Sequence, residues 1–245
     1  MLSGVLDRSR SLLLGWALAC WVALALVGVA VQRGWGPVAD VDARGGNPDV
    51  AYVGADSGLY DLLRWVELTF GTIGMTVLTV VTGALLLAKG YRRAALVAVL
   101  VPLLTSLATT GLKLWIGRAR PPWQDPEHLL STQSFPSGHA SSAAALGGVL
   151  CVLALMLVRR AGMRRVVYAA VGVVVVAICL DRVLLGRHYP SDVVAGVLLG
   201  AAVLLTVLAA YSPLPRSHAE KADPLPEAIP GGTRRLAVVL NPIKV

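Results

Sequence analysis

Six long apolar runs constrain the fold of this chain more than any other feature of its sequence. Five of them carry no charged residue over about the 20 residues that a helix needs to cross a bilayer: Ser11–Gln32, Leu68–Ala88, Ala94–Leu112, Ala140–Val158 and Val193–Tyr211. A sixth run, Val166–Leu180, is shorter and continues through Asp181 and Arg182 to Leu185. Because 56% of the residues are hydrophobic, more than a soluble domain of this length can bury, the chain is predicted to be an all-α integral membrane bundle of six transmembrane helices.

Basic residues predict the orientation of the bundle, because cytoplasmic loops carry an excess of Lys and Arg. They precede the first run and fill the loops after the second and fourth runs: Arg8, Arg10, Lys89, Arg92, Arg93, Arg159, Arg160, Arg164 and Arg165. Both termini and these two loops are therefore predicted to be cytoplasmic, and the loops near 33–67, 117–139 and 182–190 to face outward. The net charge of +8 is attributed mainly to this pattern, so no nucleic-acid partner is expected.

The first cluster of polar residues is KLWIGRARPP, from Lys113 to Pro122. Lys113 and Arg120 are seven residues apart, two helical turns, and so lie on nearly the same helix face. Pro121 disfavours helix at the residue before it, which predicts that the span frays into the loop there. Two interpretations stay open, because the cations can bind an anion or can snorkel to the membrane interface.

The second cluster is Pro136-Ser137-Gly138-His139, at the predicted start of the fourth span. A loop that enters a helix through Ser and Gly presents backbone N–H groups at the positive end of the helix dipole, where a phosphate can bind. His139 can protonate a leaving oxygen near neutral pH. The alternative is that Ser137 is a simple helix cap beside an interfacial histidine.

The third cluster is DRVLLGRHYPSD, from Asp181 to Asp192. Arg182 lies near the outer end of the fifth span, and His188 follows a turn that contains glycine. Asp192 is four residues beyond His188, close enough to accept a hydrogen bond from Nδ1 and leave Nε2 exposed, which makes the imidazole a competent nucleophile. A metal held by His139, His188 and Asp192 is the competing idea, but it lacks the further carboxylate or Cys ligands that such sites use.

Ambiguous singly, the three clusters gain weight from their joint location on one predicted face of the membrane. Two histidines, an aspartate, a lysine and two arginines are costly to hold at a membrane boundary. Together they supply what phosphoryl transfer needs, namely cations and N–H dipoles for the phosphate oxygens, a nucleophile and an acid.

These three motifs, in this order, resemble those of the type 2 phosphatidic acid phosphatase (lipid phosphate phosphatase) superfamily. They are Lys113 to Arg120-Pro121, then Pro136 to His139, then Arg182 to His188 and Asp192, and the resemblance covers about residues 60–211. It implies an active site at the extracytoplasmic face and a lipid phosphate as substrate. No metal or other cofactor is expected.

The resemblance also implies a role for each site residue. His188 is expected to attack phosphorus and form a phosphohistidine, with Asp192 orienting and charging it. His139 is expected to act as acid toward the leaving group and then as base for the hydrolytic water. The remaining residues are expected to hold the phosphate oxygens: Lys113, Arg120, Ser137, Gly138 and Arg182.

Three residues beside the motifs raise separate questions. The family's third motif usually opens Ser-Arg, whereas this chain has Asp181-Arg182, so Asp181 is expected either to pair with Arg182 or to repel a doubly charged headgroup. Arg118 and Arg187 are interpreted as interfacial charges, with accessory phosphate contacts as the alternative.

Gly196 and Gly200 form a small-xxx-small pattern that predicts close helix packing.

Domain boundaries follow from composition. Residues 1–211 are predicted to form the membrane phosphatase domain, and residues 212–232 a Pro-rich cytoplasmic linker. Residues 233–245 resemble the start of a diacylglycerol-kinase-type lipid kinase domain, which predicts a truncated phosphatase–kinase fusion; a plain cytoplasmic tail is the alternative.

The main functional hypothesis is metal-independent hydrolysis of a lipid phosphate monoester or diphosphate, such as phosphatidic acid, phosphatidylglycerol phosphate or a polyprenyl phosphate. The expected partners are that substrate and membrane lipids, and the oligomeric state is left open. Three alternatives remain: a lipid phosphotransferase that uses the same phosphohistidine, a non-enzymatic phospholipid-binding protein, and a vanadium haloperoxidase, which six spans argue against because the haloperoxidases resemble soluble helical proteins.

Overall fold

Eight α-helices make up the part of the chain that the computed structural model describes, residues 2–45, 58–123 and 130–214, and no strand occurs there. In chain order they are α1 (Leu2–Gln32), α2 (Gly36–Gly45), α3 (Gly58–Thr69), α4 (Thr72–Ala88), α5 (Arg92–Ile116), α6 (Gly138–Leu157), α7 (Ala161–Leu184) and α8 (Pro190–Ala210). The all-α prediction is confirmed.

Five of these helices are long and apolar enough to span a membrane: α1 from Arg10 onward, α5, α6, α7 and α8. Helices α3 and α4 pass the same test together but are bent by 49° at the break between them. Gly71 lies at this break with an extended backbone, ψ −178°. With the bent pair counted as one span, the six-helix prediction is confirmed, and the chain is a multi-pass membrane protein.

The prediction that residues 33–67 form an outer loop is wrong for two stretches. Helix α2 occupies Gly36–Gly45, and α3 begins at Gly58. Sequence reasoning overlooked both because it searched for runs long enough to cross a bilayer. Helix α2 has only ten residues, and its second half contains Asp40, Asp42 and Arg44. Helix α3 contains Asp61, Arg64 and Glu67. Neither is therefore an uncharged run long enough to be recognised as a span.

Helix α8 is central to the bundle and packs against α1, α5 and α6, with further contacts to α2 and α7. Its apolar side forms a core with residues of α5 and α6. The most deeply buried members of this core include Val97, Val101, Val149 and Leu199. The first turn of α8 contacts side chains of α2 and of the loop between α5 and α6, through Asp42, Arg118 and Ser134.

Helices α6 and α8 approach each other closely at two glycines. A methyl group on Gly196 would lie 2.6 Å from the carbonyl oxygen of Ser137, and one on Gly200 would lie 2.5 Å from that of Ser141. The backbones therefore touch across the small-xxx-small pattern, as predicted. This contact brings the second and third sequence clusters together, since α6 begins at one and α8 at the other.

Substitution of Gly200 tests this contact. We expect Gly200→Ala to lower the free energy of unfolding by about 1–3 kcal/mol, because the added methyl must push α6 and α8 apart. The measurement is the thermal unfolding midpoint in detergent. Gly172→Ala is the control, because Gly172 on α7 has no atom within 4 Å of the position of an added Cβ and gains the same helix propensity. Equal midpoints for the two variants would contradict the close packing.

Candidate active site

The eight residues predicted for the site lie at one end of the helix bundle. Four helix termini and two loops supply them: Lys113 from the end of α5, Arg120 from the loop after it, Ser137, Gly138 and His139 from the start of α6, Arg182 from the end of α7, His188 from the following turn, and Asp192 from the first turn of α8. The contacts described below link these segments to one another.

His188 lies between a carboxylate and a guanidinium. Its Nδ1 is 3.5 Å from Asp192 Oδ2, longer than a well-formed hydrogen bond, and its Nε2 is 3.3 Å from Arg120 Nη1. Because a guanidinium can only donate, the contact assigns the lone pair to Nε2 and the proton to Nδ1, facing Asp192. Burial lowers the pKa of His188 to about 4, although Asp192 opposes that shift. The imidazole is therefore neutral at pH 7, with an unprotonated Nε2 whose lone pair faces Arg120.

Asp192 is fully buried and held from three directions. Its Oδ1 accepts a hydrogen bond from Arg118 Nη1 at 2.6 Å, and its Oδ2 accepts from the Ser134 hydroxyl and from the backbone N–H of Tyr189. These three hydrogen bonds fix the carboxylate beside His188. Sequence reasoning named Asp192 but not Ser134.

Two cations of the first cluster are bound to neutral acceptors. The Lys113 ammonium donates to the carbonyl of Gln133. Arg120 donates to the carbonyl and hydroxyl of Thr132, at 2.7 and 2.9 Å, and to the carbonyl of Arg187 at 2.7 Å. Burial lowers the pKa of Arg120 to about 10, which leaves it charged at neutral pH. Neither cation has a carboxylate partner within the described ranges, so both retain charge for an anion.

The start of α6 combines a helix cap with the proposed acid. Ser137 Oγ accepts a hydrogen bond from the backbone N–H of Ala140, and Ser137 N–H donates to the carbonyl of Asp192 at 2.9 Å. The helix-cap interpretation of Ser137 therefore holds, and its N–H already has a partner. His139 Nε2 lies 3.2 Å from the carbonyl oxygen of Glu67, which can only accept, so this nitrogen carries a proton.

Arg182 is buried between two carboxylates. Its Nε and Nη2 both donate to Asp181 Oδ2, the Nε bond being 2.8 Å long, and its Nη1 donates to Glu67 Oε1 at 2.8 Å. Of the two roles considered for Asp181, pairing with Arg182 is the one observed. Glu67 was missed because it lay at the end of a predicted loop, with no motif around it.

The interpretation of Arg187 and Arg118 as interfacial charges is wrong. Arg187 is 1% exposed, and its Nε lies 3.2 Å from Glu67 Oε1. Arg118 contacts Asp192 and Asp42, and these carboxylates raise its pKa above the usual value despite the opposing effect of burial. Both arginines are paired with acids, so neither is a simple phosphate contact.

A cleft of about 510 Å³ leads into the site between α4, α5 and α6. Lys113, Gly138 and His139 lie at its polar end, and apolar side chains lie at the other: Val80, Val99, Pro102 and Leu103. Hydroxyl groups line much of the space between them, including those of Thr76 and Ser106. A molecule with an anionic head and an apolar chain fits this arrangement.

No metal centre is evident in the described ranges. No group of three or more His, Cys, Asp or Glu side chains is arranged there to hold an ion. The acids of the site contact Arg118, Arg182 and Arg187 instead, which are cations that a metal would have to replace.

With this geometry in view, comparison with known proteins is decisive for the family. A sequence profile of the PAP2 superfamily matches residues 94–215. The chain contains a PAP2 superfamily domain.

The same assignment follows from a solved structure. The crystal structure of a transmembrane PAP2-type phosphatidylglycerolphosphate phosphatase from Bacillus subtilis aligns with a TM-score of 0.68 and 26% sequence identity. The alignment covers 78% of this chain and 93% of that one. The PAP2 fold therefore extends beyond the segment that the profile matches.

Two named proteins are similar over shorter segments. Phosphatidylglycerophosphatase B of Bacillus subtilis (strain 168) is 38% identical over 100 residues, 39% of this chain and 47% of its own length. Decaprenylphosphoryl-5-phosphoribose phosphatase of Mycobacterium tuberculosis (strain CDC 1551 / Oshkosh) is 45% identical over 73 residues, 30% of this chain and 34% of its own length. The chain thus spans about half of the first relative and a third of the second.

The PAP2 profile match contains all eight predicted site residues but not every residue of the observed site. Asp42 and Glu67 precede it, on α2 and α3. The predicted kinase-like tail at 233–245 lies outside the described residues and beyond the profile match. The resemblance of that tail to a lipid kinase is not borne out.

The pairing of Glu67 with Arg182 generates a prediction about anion binding to the PAP2 domain. We expect Glu67→Gln to bind inorganic phosphate roughly tenfold more tightly, about 1.4 kcal/mol, because the variant removes a negative charge that competes for the Arg182 guanidinium. The dissociation constant can be measured by isothermal titration calorimetry.

Asp61→Asn is the matched control for Glu67→Gln, because Asp61 is an exposed acid on the same helix. Its affinity for phosphate should equal that of the unmodified protein. Weaker phosphate binding by a folded Glu67→Gln protein would show that Glu67 orients Arg182 for the anion instead of competing with it.

Proposed function

We propose that the protein is a metal-independent phosphatase that hydrolyses a lipid phosphate at the extracytoplasmic face of the membrane. The observation that carries this proposal is the environment of His188, a neutral imidazole whose Nδ1 faces Asp192 and whose Nε2 lies 3.3 Å from Arg120. The nitrogen that would act as the nucleophile, His188 Nε2, thus lies beside a guanidinium that can bind an anion. Both named relatives are phosphatases of lipid-linked phosphates by name, which supports the same reaction class here.

The first chemical step is attack by His188 on phosphorus. The Nε2 lone pair forms the P–N bond as the P–O bond to the lipid breaks. The leaving alkoxide takes the Nε2 proton of the His139 imidazolium, which becomes a neutral imidazole with its remaining proton on Nδ1. Asp192 stabilises the positive charge that develops on the His188 ring. Lys113 and Arg120, which are bound only to neutral groups and His188 among the described residues, attract the phosphate oxygens.

The second step hydrolyses the phosphohistidine. Water attacks phosphorus, His139 takes the proton of the water through the same nitrogen, and the P–N bond breaks to release inorganic phosphate and restore the His188 lone pair. His139 must first exchange its contact with the Glu67 carbonyl for one with the substrate. A hydroxyl-bearing acceptor in place of water would give the phosphotransferase variant of the reaction.

The cleft between α4, α5 and α6 supports a lipid as the carrier of the phosphate. Its polar end reaches Lys113 and His139, and its apolar end lies within the membrane-spanning part of the bundle. A lipid chain lying in the cleft places its headgroup beside Lys113 and His139. The basic loops after the second and fourth spans support an orientation in which the opposite end of the bundle and both termini are cytoplasmic.

Activity measurements on purified protein test the reaction. Phosphate release from phosphatidylglycerol phosphate, phosphatidic acid and polyprenyl diphosphate should continue in EDTA, and His188→Gln should abolish it. His139→Ala should reduce the rate by about 10²–10⁴-fold, the usual contribution of a positioned acid–base group. Substrate with a labelled phosphate should give an acid-labile phosphoenzyme in the unmodified protein but not in His188→Gln.

Each possible failure of this experiment has a distinct meaning. Turnover by a folded His188→Gln protein would overturn the assignment of the nucleophile. Binding of all three lipids without phosphate release would favour the non-enzymatic alternative. Transfer of the label to an added alcohol, but not to water, would favour the phosphotransferase.

The role of the cleft is tested by narrowing it. We expect Ser106→Trp to reduce kcat/KM for a long-chain lipid phosphate roughly tenfold or more, a loss of about 1.4 kcal/mol, because the indole would occupy the cleft. Hydrolysis of a short, water-soluble phosphate ester should be unchanged. Leu107→Trp is the control, because Leu107 is exposed on the same helix and does not line the cleft. Equal losses for both variants or both substrates would contradict entry by this route.

A further inference from the structure

Helix α2 lies against the start of α8 through two residues. Asp42 is the buried residue of α2, only 3% exposed, although its neighbours on the helix are largely exposed. Gly45 makes the second contact, since a methyl group there would lie 2.5 Å from Pro190 Cγ, at the first position of α8. A short, polar helix outside the profile match therefore contacts the turn that carries His188 and Asp192.

The Asp42 carboxylate is shared between α8 and the loop after α5. Its Oδ1 accepts a hydrogen bond from the backbone N–H of Ser191 at 2.9 Å. Its Oδ2 accepts from the Ser191 hydroxyl at 2.7 Å and from Arg118 Nη2 at 2.6 Å. An acid from a distant helix thus binds an N–H group in the first turn of α8, where the helix itself offers no acceptor and the helix dipole favours negative charge.

Arg118 connects Asp42 to the acid beside the nucleophile. One guanidinium nitrogen, Nη2, contacts Asp42, and the other, Nη1, donates to Asp192 Oδ1 at 2.6 Å and to the Ser191 hydroxyl at 2.7 Å. The guanidinium also lies over the ring of Tyr189, 4.0 Å from its centroid. Apart from its contact with Asp42, the Arg118 guanidinium therefore contacts only residues of the turn from Tyr189 to Asp192 in these interactions.

We propose that Asp42 is a positioning residue for the phosphatase reaction, and that it acts on His188 through Arg118 and Asp192. The inference rests on the proposed function for its catalytic consequence. Asp42 binds Nη2 of Arg118 and so fixes the guanidinium. Nη1 of the same guanidinium then holds Asp192 in the orientation in which its carboxylate faces Nδ1 of His188. Without Asp42 the Arg118 guanidinium can shift, and the hydrogen bond that it donates to Asp192 Oδ1 would be weakened.

Asp42 also sets the charge felt by His188. Because Arg118 is shared by two carboxylates, its positive charge is partly balanced by Asp42, and Asp192 keeps more of its negative charge for the imidazole. The charged and titratable groups around His188 are Asp192 on α8, Arg120 in the loop after α5, Lys113 on α5 and His139 on α6. Of these, Asp192 alone stabilises the protonated ring, so its effective charge governs the protonation of His188.

Asp42→Asn tests the proposal, because the amide keeps the shape of the side chain but loses its charge and one acceptor. We expect kcat to fall about 10- to 100-fold, the usual cost of disturbing a residue that orients a catalytic group, with KM within about twofold. The acid limb of the kcat profile should move to lower pH, because a weaker Asp192 charge makes His188 harder to protonate. Asp42→Glu should recover part of the rate by restoring a carboxylate to Arg118.

Asp40→Asn is the matched control, because Asp40 lies on the same helix and is exposed; its kcat and pH profile should match those of the unmodified enzyme. A purely structural Asp42 would lower the thermal midpoint and the amount of active protein without moving the acid limb. That result, or an unchanged kcat in Asp42→Asn, would overturn the proposal.

A second measurement separates this proposal from the proposed function. The ¹⁵N chemical shifts of the His188 ring report which nitrogen carries the proton, whether or not the protein hydrolyses a lipid. We expect the proton at Nδ1 in the unmodified protein and a mixture of tautomers in Asp42→Asn. An inactive protein whose His188 tautomer still responds to Asp42→Asn would remove the phosphatase assignment alone, and identical ring shifts in both proteins would remove the role of Asp42.

Discussion

Burial of cations at one end of the bundle is the constraint on which the rest of the site depends. Five basic side chains converge there, and two of them, Arg182 and Arg187, are almost fully buried. A buried charge is costly unless it is paired and hydrogen-bonded. Four carboxylates meet this requirement, from α2, α3, α7 and α8: Asp42, Glu67, Asp181 and Asp192. Helices α2 and α3, which precede the profile match, are therefore part of the charge balance of the site.

Packing of α6 against α8 brings the segment that carries His139 beside the segment that carries His188. The glycines at 196 and 200 let the two backbones touch, and the Ser137 N–H donates to the carbonyl of Asp192. The positions of His139 and His188, some fifty residues apart in sequence, thus both depend on the contact between the N-terminal ends of α6 and α8. A contact between small residues suits this task better than one between large side chains. Small residues have few rotamers, so the distance between the two helices, and with it that between the two histidines, varies little.

Sequence patterns predicted the spans and the motif residues because each leaves a local signature. A run such as Val193–Tyr211 is readable from hydropathy, and the pairs Lys113 with Arg120 and His188 with Asp192 from the residue types and spacing of the motifs, although Arg120 and His188 lie outside the helices. Asp42 and Glu67 leave none, since their partners Arg118 and Arg182 are 76 and 115 residues away. Their burial depends on how α2 and α3 fold back over the bundle, and the break at Gly71 that positions α3 is not marked by periodicity.

The distribution of acids divides the five cations by role. Arg118, Arg182 and Arg187 are bound to carboxylates of the protein, which largely neutralise their charges. Lys113 and Arg120 are bound to carbonyl and hydroxyl oxygens and to His188, which orient a cation without neutralising it. In the proposed reaction, a phosphate is attracted toward Arg120, which lies beside Nε2 of His188, so the anion approaches the atom proposed to attack it. Arg182 can bind that phosphate only if Glu67 releases its guanidinium.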